Sequence, residues 1–414
     1  DGLQYTVDAF QRVGGSIAGA FWYVDATSLE YAKQWKKMYG GKIGPYDPVV
    51  YGRDWYVRPG STYKMGVRTY QAADYMIKKN APGQNHNITV NGKSGSTSYN
   101  LGLGYVNVSG MMKPAKHDDF TRYNASLSVT TDVNKYLTIT GGLMYSERNK
   151  RYAYITSSTT ADPWLYLYRW GPLYPMTKDE YGNSLRSPAT EAEQANTANV
   201  FNGYTNINLG AIVHVTKDWN INGNWAYSAN HYIENHPGTR YTAGNTWIAP
   251  VDATDATGNA LTSTDVWGAY GTAGASIPAK MLYYQTYTAD GSNPDHVYRE
   301  SSYTHRKSAN VTTTYHLMLG EDHDFNFMLG FDYASYDEKT NWSQITHLLD
   351  IKNPQFSLAD GTQTSGGGTY WDSQVGYFGR LNYAYNDKYL LEFNLRHGGS
   401  SKFTSDLQWR WFPS

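Results

Sequence analysis

His231 and His236 are the first residues in this chain that suggest reactive chemistry. Zinc-binding histidines on a helix stand four apart, and residues sharing a strand face stand an even number apart. A spacing of five fits neither, so the two read as solvated loop residues. The run Asp290-Gly291-Ser292-Asn293-Pro294-Asp295 begins like a calcium loop. It then places Pro294 at the fifth position and Ser301 at the twelfth, where the loop needs a glutamate, and so reads as a turn. Gly102-Leu103-Gly104 has Asn107 where a dinucleotide fingerprint needs glycine. There is no cysteine, which excludes thiol nucleophiles, disulfides and zinc-thiolate centres. Serine and histidine are present, but no nucleophile elbow stands between a strand and a helix. A hydrolase working at a barrel rim is the enzyme alternative; the reading taken here is a non-enzyme without cofactor or metal.

Aromatic residues offer different chemistry. Pro163-Trp164-Leu165-Tyr166-Leu167-Tyr168-Arg169-Trp170 lies within a connection over 148–199, and Trp247 and Trp267 lie in another over 229–302. Flat rings stack on the C–H faces of sugars, and peptides favour similar surfaces. Trp164, Tyr166, Tyr168, Arg169, Trp170, Trp247 and Trp267 are therefore candidate ligand contacts. The alternative is that these rings pack their loops together or face a partner protein. Either way, the loops must be held by something.

What holds them is a series of alternating segments. Tyr123, Ala125, Leu127 and Val129 alternate with Asn124, Ser126, Ser128 and Thr130. The same pattern runs through Leu137–Tyr145, Ile207–Val215, Trp219–Tyr227, Phe325–Tyr333 and Tyr389–Leu395. Each segment has one apolar and one polar face, with aromatics at its ends. Short turns at 93–96, 132–134, 216–218, 320–323 and 386–387 alternate with long connections at 107–119, 148–199, 229–302 and 337–372. Globular domains rarely carry several such loops, whereas outer-membrane barrels have short periplasmic turns and long extracellular loops. The competing reading is a secreted β-sandwich or adhesin, which shows turns every 8–12 residues instead.

Composition agrees with a barrel. The 414 residues include 39 Tyr, 13 Trp and 40 Gly, and the mean hydropathy is −0.61. A wall apolar outside and hydrated inside has this character. No apolar run is long enough for a helical span. The net charge of −1 gives no electrostatic case for nucleic acid. Residues 1–85 read as an early barrel or extracellular segment with short helices over Leu29–Met38, capped by Thr27 or Ser28, and over Tyr70–Lys79. Residues 86–414 read as about ten strands in five hairpins, with an eleventh or twelfth near Leu407–Phe412.

Several motifs, in order, resemble the SusC/RagA-like TonB-dependent outer-membrane transporters of Bacteroidetes. They are 80–92 (NAPGQNHNITVNG), 99–105 (YNLGLGY), 120–124 (FTRYN), 379–392 (GRLNYAYNDKYLLE), 398–403 (GGSSKF) and 411–414 (WFPS). His397 departs from the family, which more often has an acidic residue there. The resemblance implies an all-β fold: an antiparallel transmembrane barrel, part of a 22-stranded plugged barrel with long extracellular loops. It implies import of oligosaccharides, or alternatively oligopeptides, with a SusD-like surface lipoprotein and energy from the TonB–ExbB–ExbD system through a plug. On this reading the chain is the middle part of a longer polypeptide, without plug, TonB box or closing strands. A self-contained passive porin is the remaining alternative.

Overall fold

The computed structural model describes residues 2–14, 22–155, 167, 170–288 and 295–414. Eleven antiparallel strands form one sheet, each paired with its neighbours in sequence. They are β1 (Gly83–Ser94), β2 (Thr97–Ser109), β3 (Asp119–Asn134), β4 (Leu137–Ala153), β5 (Thr197–His214) and β6 (Trp219–Pro237). β7 (His296–Leu319), β8 (His323–Thr346), β9 (Gln363–Tyr385), β10 (Tyr389–Ser400) and β11 (Trp409–Pro413) complete the wall. The connections alternate as expected. Turns at 95–96, 135–136, 215–218, 320–322 and 386–388 close one end, and 110–118, 154–196, 238–295, 347–362 and 401–408 cross the other. Asn386 and Asp387 both have φ of +51°, and the Lys388 N–H donates to the Tyr385 carbonyl at 3.0 Å. Asn and Asp tolerate that left-handed region, which the tight turn requires.

Register turns the alternation into a continuous outer surface. Leu101 opposes Leu127, which opposes Leu143, then Ile207, then Tyr227. On β8 the outward positions run Phe325, Phe327, Leu329, Phe331, Tyr333; beyond them come Ser335, Asp337, Lys339, Asn341 and Ser343. The apolar stretch covers about 26 Å of strand, the scale of the roughly 25 Å band of an outer-membrane barrel. Leu329 is 64% exposed and Leu391 62%, as lipid-facing residues must be. Aromatics mark the turn end of the band, where Phe325 stacks on Tyr383 at 4.7 Å. They also mark the loop end, at Trp225, Tyr227 and Tyr377.

The strands extend further than hydropathy indicates. β7 and β8 have 24 residues each, about 79 Å of strand. The connections expected over 229–302 and 337–372 accordingly shrink to 238–295 and 347–362. Above the lipid both faces meet water, so apolar–polar alternation stops while the backbone ladder continues.

The main hydrophobic core lies outside the wall, at the end of the long loops. There Trp22, Leu29, Trp35, Tyr51, Trp55, Met65 and Met76 pack with Trp170, Leu173, Met176, Leu185, Trp267, Ile277 and Leu282. This cap includes helices α1 (Gly2–Arg12), α2 (Ala26–Tyr39), α3 (Ala72–Met76) and α4 (Pro188–Gln194). Neither Thr27 nor Ser28 is the N-cap of α2. Asp25 is: its carboxylate accepts from the Ser28 N–H at 2.8 Å, and Ser28 Oγ accepts from the Asp25 N–H at 2.8 Å. That reciprocal box satisfies two helix-end donors at once. α3 is shorter than the expected 70–79 because Ile77 is extended and bridges Met112.

Three buried charges, Asp54, Arg68 and Lys64, shape the cap. Asp54 accepts from Trp35 Nε1 at 2.8 Å, the Val50 N–H at 2.9 Å and Arg53 Nη2 at 2.8 Å, and lies 3.4 Å from Arg68 Nη1. Arg68 also donates to the carbonyls of Gly44, Pro45 and Asp47. Lys64 is also buried, donating to the Ile248 carbonyl at 2.9 Å, and burial lowers its pKa to about 8. Between that value and the ordinary 10.5 the unfolded chain binds more protons than the folded cap, so stability rises with pH through this window and is flat below it. Urea midpoints for the cap are followed by proteolysis from pH 7 to 10; buried tyrosines act equally in both proteins, so the wild-type midpoint is expected to rise relative to that of Lys64→Met. A difference that did not change with pH would refute the account.

Candidate lumenal binding surface

Side chains opposite the apolar belt line the lumen. At membrane depth β5 and β6 present Asn206, Asn208, Asn220, Asn222 and Asn224, all neutral donor–acceptors. On β8–β10 the inward face carries charge: Arg380 donates to Asn394 at 2.9 Å, Asn394 donates to Glu392 at 2.8 Å, and Asp332 pairs with Arg396. Arg396 binds Asp332 through both oxygens, at 2.6 and 2.9 Å. The pair crosses β9 at Gly376, where a Cβ would lie 2.2 Å from Arg396 Nη2. Glycine there makes room for the guanidinium.

Above the belt the inward face becomes aromatic and charged. Four strands repeat one device, a tyrosine followed two residues later by an acid on the same face. Tyr232 donates to Glu234 and Tyr298 to Glu300, each at 2.6 Å; Tyr336 donates to Glu338 at 2.8 Å and Tyr370 to Asp372 at 2.9 Å. Glu234 and Glu300 stand directly opposite each other across β6 and β7. His236 Nε2 lies 2.5 Å from Glu234. A ladder of rings crosses the same rim. Tyr154 stacks on His236 at 4.7 Å, His236 on Tyr298 at 5.3 Å, and Tyr298 on Trp342 at 6.1 Å. Trp342 reaches over Gly366, where a Cβ would lie 2.8 Å from its indole nitrogen. Gly366, Gly367 and Gly368 therefore belong to β9 and not to the loop tip that their composition suggests.

Basic residues stand among the acids: Lys150 is in register with Glu234 through Val200. Arg148 donates to Asn202 at 2.7 Å, and Lys150 lies 5.1 Å over the Tyr152 ring. Arg306 lies 4.7 Å over the Tyr336 ring. Among the described residues no three His, Cys, Asp or Glu side chains gather to hold a metal ion. The surface thus offers ring faces for apolar C–H patches, carboxylates for hydroxyls or amines, and cations for anionic groups. It has the parts of a binding wall.

The residues singled out from sequence fall in different places. Trp164, Tyr166, Tyr168 and Arg169 lie outside the described residues. Trp170 and Trp267 are buried in the cap core. Trp170 meets Tyr174 edge-on at 5.4 Å. The Trp267 indole nitrogen donates to the Arg53 carbonyl at 2.8 Å, and its ring stacks on Tyr31 at 5.7 Å. Trp247 is 48% exposed on the cap surface. His231 and His236 are strand residues on opposite faces of β6, not loop residues. Of the calcium-like run only Asp295 is described; it is buried and bound by Arg240 at 2.6 Å. The ladder and the tyrosine–acid pairs were missed because they sit where the expected loops were drawn. Their spacing of two was visible in Tyr-Ile-Glu, Tyr-Arg-Glu, Tyr-Asp-Glu and Tyr-Trp-Asp.

No protein-family model matches the chain. The TonB-dependent receptor SusC of Bacteroides thetaiotaomicron is 31% identical over 119 residues, 28% of this chain and 11% of SusC. The TonB-dependent receptor P26 of Formosa agariphila is 33% identical over 109 residues, 25% of this chain and 11% of that receptor. In fold the chain is similar to the RagAB peptide importer in its open-open state, with a TM-score of 0.59 at 14% identity. That match covers 99% of this chain and 40% of the other, so the chain spans about two fifths of its length. A second structure, the RagAB peptide transporter, gives a TM-score of 0.55 at 17% identity, covering 84% of this chain and 35% of that one.

Proposed function

We propose that this SusC/RagA-like outer-membrane barrel wall serves a TonB-dependent importer of large nutrients, oligosaccharides foremost, working with a SusD-like surface lipoprotein. The TonB–ExbB–ExbD system would supply the energy through a plug. The observation that carries the cargo reading is the four-ring ladder on the inner rim, flanked by carboxylates held by tyrosine hydroxyls. Rings set in a row meet successive apolar faces of an extended oligomer, and the carboxylates accept its hydroxyls. The asparagine-lined face of β5 and β6 below offers many weak neutral contacts, which suits passage over retention.

An oligopeptide is the second reading, favoured by both signs of charge on one inward face: Lys150 stands across β5 from Glu234 through Val200, and Arg306 lies over the Tyr336 ring that donates to Glu338. A peptide carries both signs and can span such a surface. Cells expressing the full-length protein distinguish the two by uptake of labelled neutral oligosaccharides against excess unlabelled oligosaccharide or oligopeptide. Competition by sugar alone, lost when the proton-motive force is collapsed, is the expected result. Competition by peptide alone would select the second reading, and uptake that persists without energy would leave only a passive pore.

A further inference from the structure

The outer face of β6–β8 just beyond the apolar belt carries two exposed lysines, and nothing in the import reading uses it; Glu147 of β4, in the same register row, is held by the Tyr145 hydroxyl at 2.6 Å. On β7 the outward series Leu317, Tyr315, Thr313, Val311, Ala309 gives way to Lys307, His305 and Tyr303. On β8 Tyr333 is followed outward by Ser335, Asp337 and Lys339, and on β6 Tyr227 is followed by Ala229 and His231. Register joins these into one patch: Lys307 opposes Tyr227 and Ser335, and Tyr303 opposes His231 and Lys339. The one acid among them, Asp337, is engaged by His305 Nδ1 at 2.9 Å. Rings floor the patch, with His231 stacked on Tyr303 at 4.2 Å and Tyr227 on His305 at 6.0 Å. Lys307 and Lys339 are exposed.

We propose that this patch binds the phosphate-bearing headgroup of an outer-leaflet glycolipid. Its position decides the partner. The patch lies on the lipid-facing side of the wall, at the long-loop end and directly above the last apolar row, where acyl chains end and headgroups begin. Ammonium groups at that depth are drawn to anionic headgroups, and amphipathic rings settle at the same level. The acyl chains of the same lipid would lie on Ala309, Val311, Phe331 and Tyr333 below, so one ligand satisfies both halves of the surface. Lys307 and Lys339 are the phosphate contacts, and His305 stays committed to Asp337.

The test uses the full-length protein in mild-detergent micelles, titrated with phosphorylated lipid A or with the same lipid after enzymatic removal of phosphate. Bound lipid is counted by native mass spectrometry. The expected result is saturable binding of the phosphorylated form, weakened about tenfold or more in Lys307→Gln/Lys339→Gln. Lys217→Gln, at the turn end, serves as the control and should bind as the wild type does. Both lysines are exposed, and retained heat-modifiable migration confirms that the variant barrel is folded. Equal binding of the dephosphorylated lipid, an unaffected double variant, or equal loss in the control would each overturn the proposal. None of these readouts depends on import, so their failure leaves the transport reading separately testable.

Discussion

Arg68→Leu is expected to destabilise the cap by about 3 kcal/mol or more, because it leaves Asp54 charged in a buried site with one arginine fewer. Arg68 is 2% exposed and Asp54 1%, so water cannot replace the lost partner. The carbonyls of Gly44, Pro45 and Asp47 would lose their donor in the same step. Arg53 remains on Asp54, which keeps the expected cost toward the lower end of the range for broken buried pairs. The wall shares none of these bonds and should keep its heat-modifiable migration. Limited proteolysis of the cap against denaturant gives the comparison. A variant as resistant as the wild type would show that the cluster contributes nothing to cap stability.

Trp342→Ala should weaken cargo binding by about tenfold, as removal of an aromatic anchor does at other recognition surfaces. Trp342 ends the ring ladder and projects over Gly366, where no side chain can take its place. Trp342→Phe restores a ring face without the indole nitrogen and should recover most of the affinity if stacking is the main contribution. Titration calorimetry of the full-length protein with the cargo selected by the uptake experiment reads both variants. Wild-type affinity in Trp342→Ala would remove the ladder from the binding surface, and loss in both variants would point to the indole N–H.

The wall was legible in the sequence because two solvents write its pattern. Lipid demands Leu329 and Phe331 outward, water demands Asn222 and Asn224 inward, and the two-residue period follows from the pleat. Turn chemistry was equally local: Asn386 and Asp387 tolerate the left-handed region that their hairpin requires. What the pattern could not show was where β7 and β8 end, since a strand with water on both faces has no hydropathy signature. That hid the tyrosine–acid pairs and the ring ladder within supposed loops, and made a loop tip of Gly366–Gly368. The cap was hidden for another reason. Its core joins Trp22 and Trp55 to Trp267 and Leu282, and no local period records contacts over such separations.

That same core fixes an order of assembly. Its members run from Val7 to Leu282, with six wall strands lying between the first contributing segment and the last. Each hairpin of the wall closes locally, at small cost in chain entropy. The cap instead collects segments that pairing must first carry to one end of the sheet. It is therefore expected to form late, after the strands are aligned. The same reasoning makes it a cooperative unit that opens before the wall does, a weak joint at the end of an otherwise durable wall.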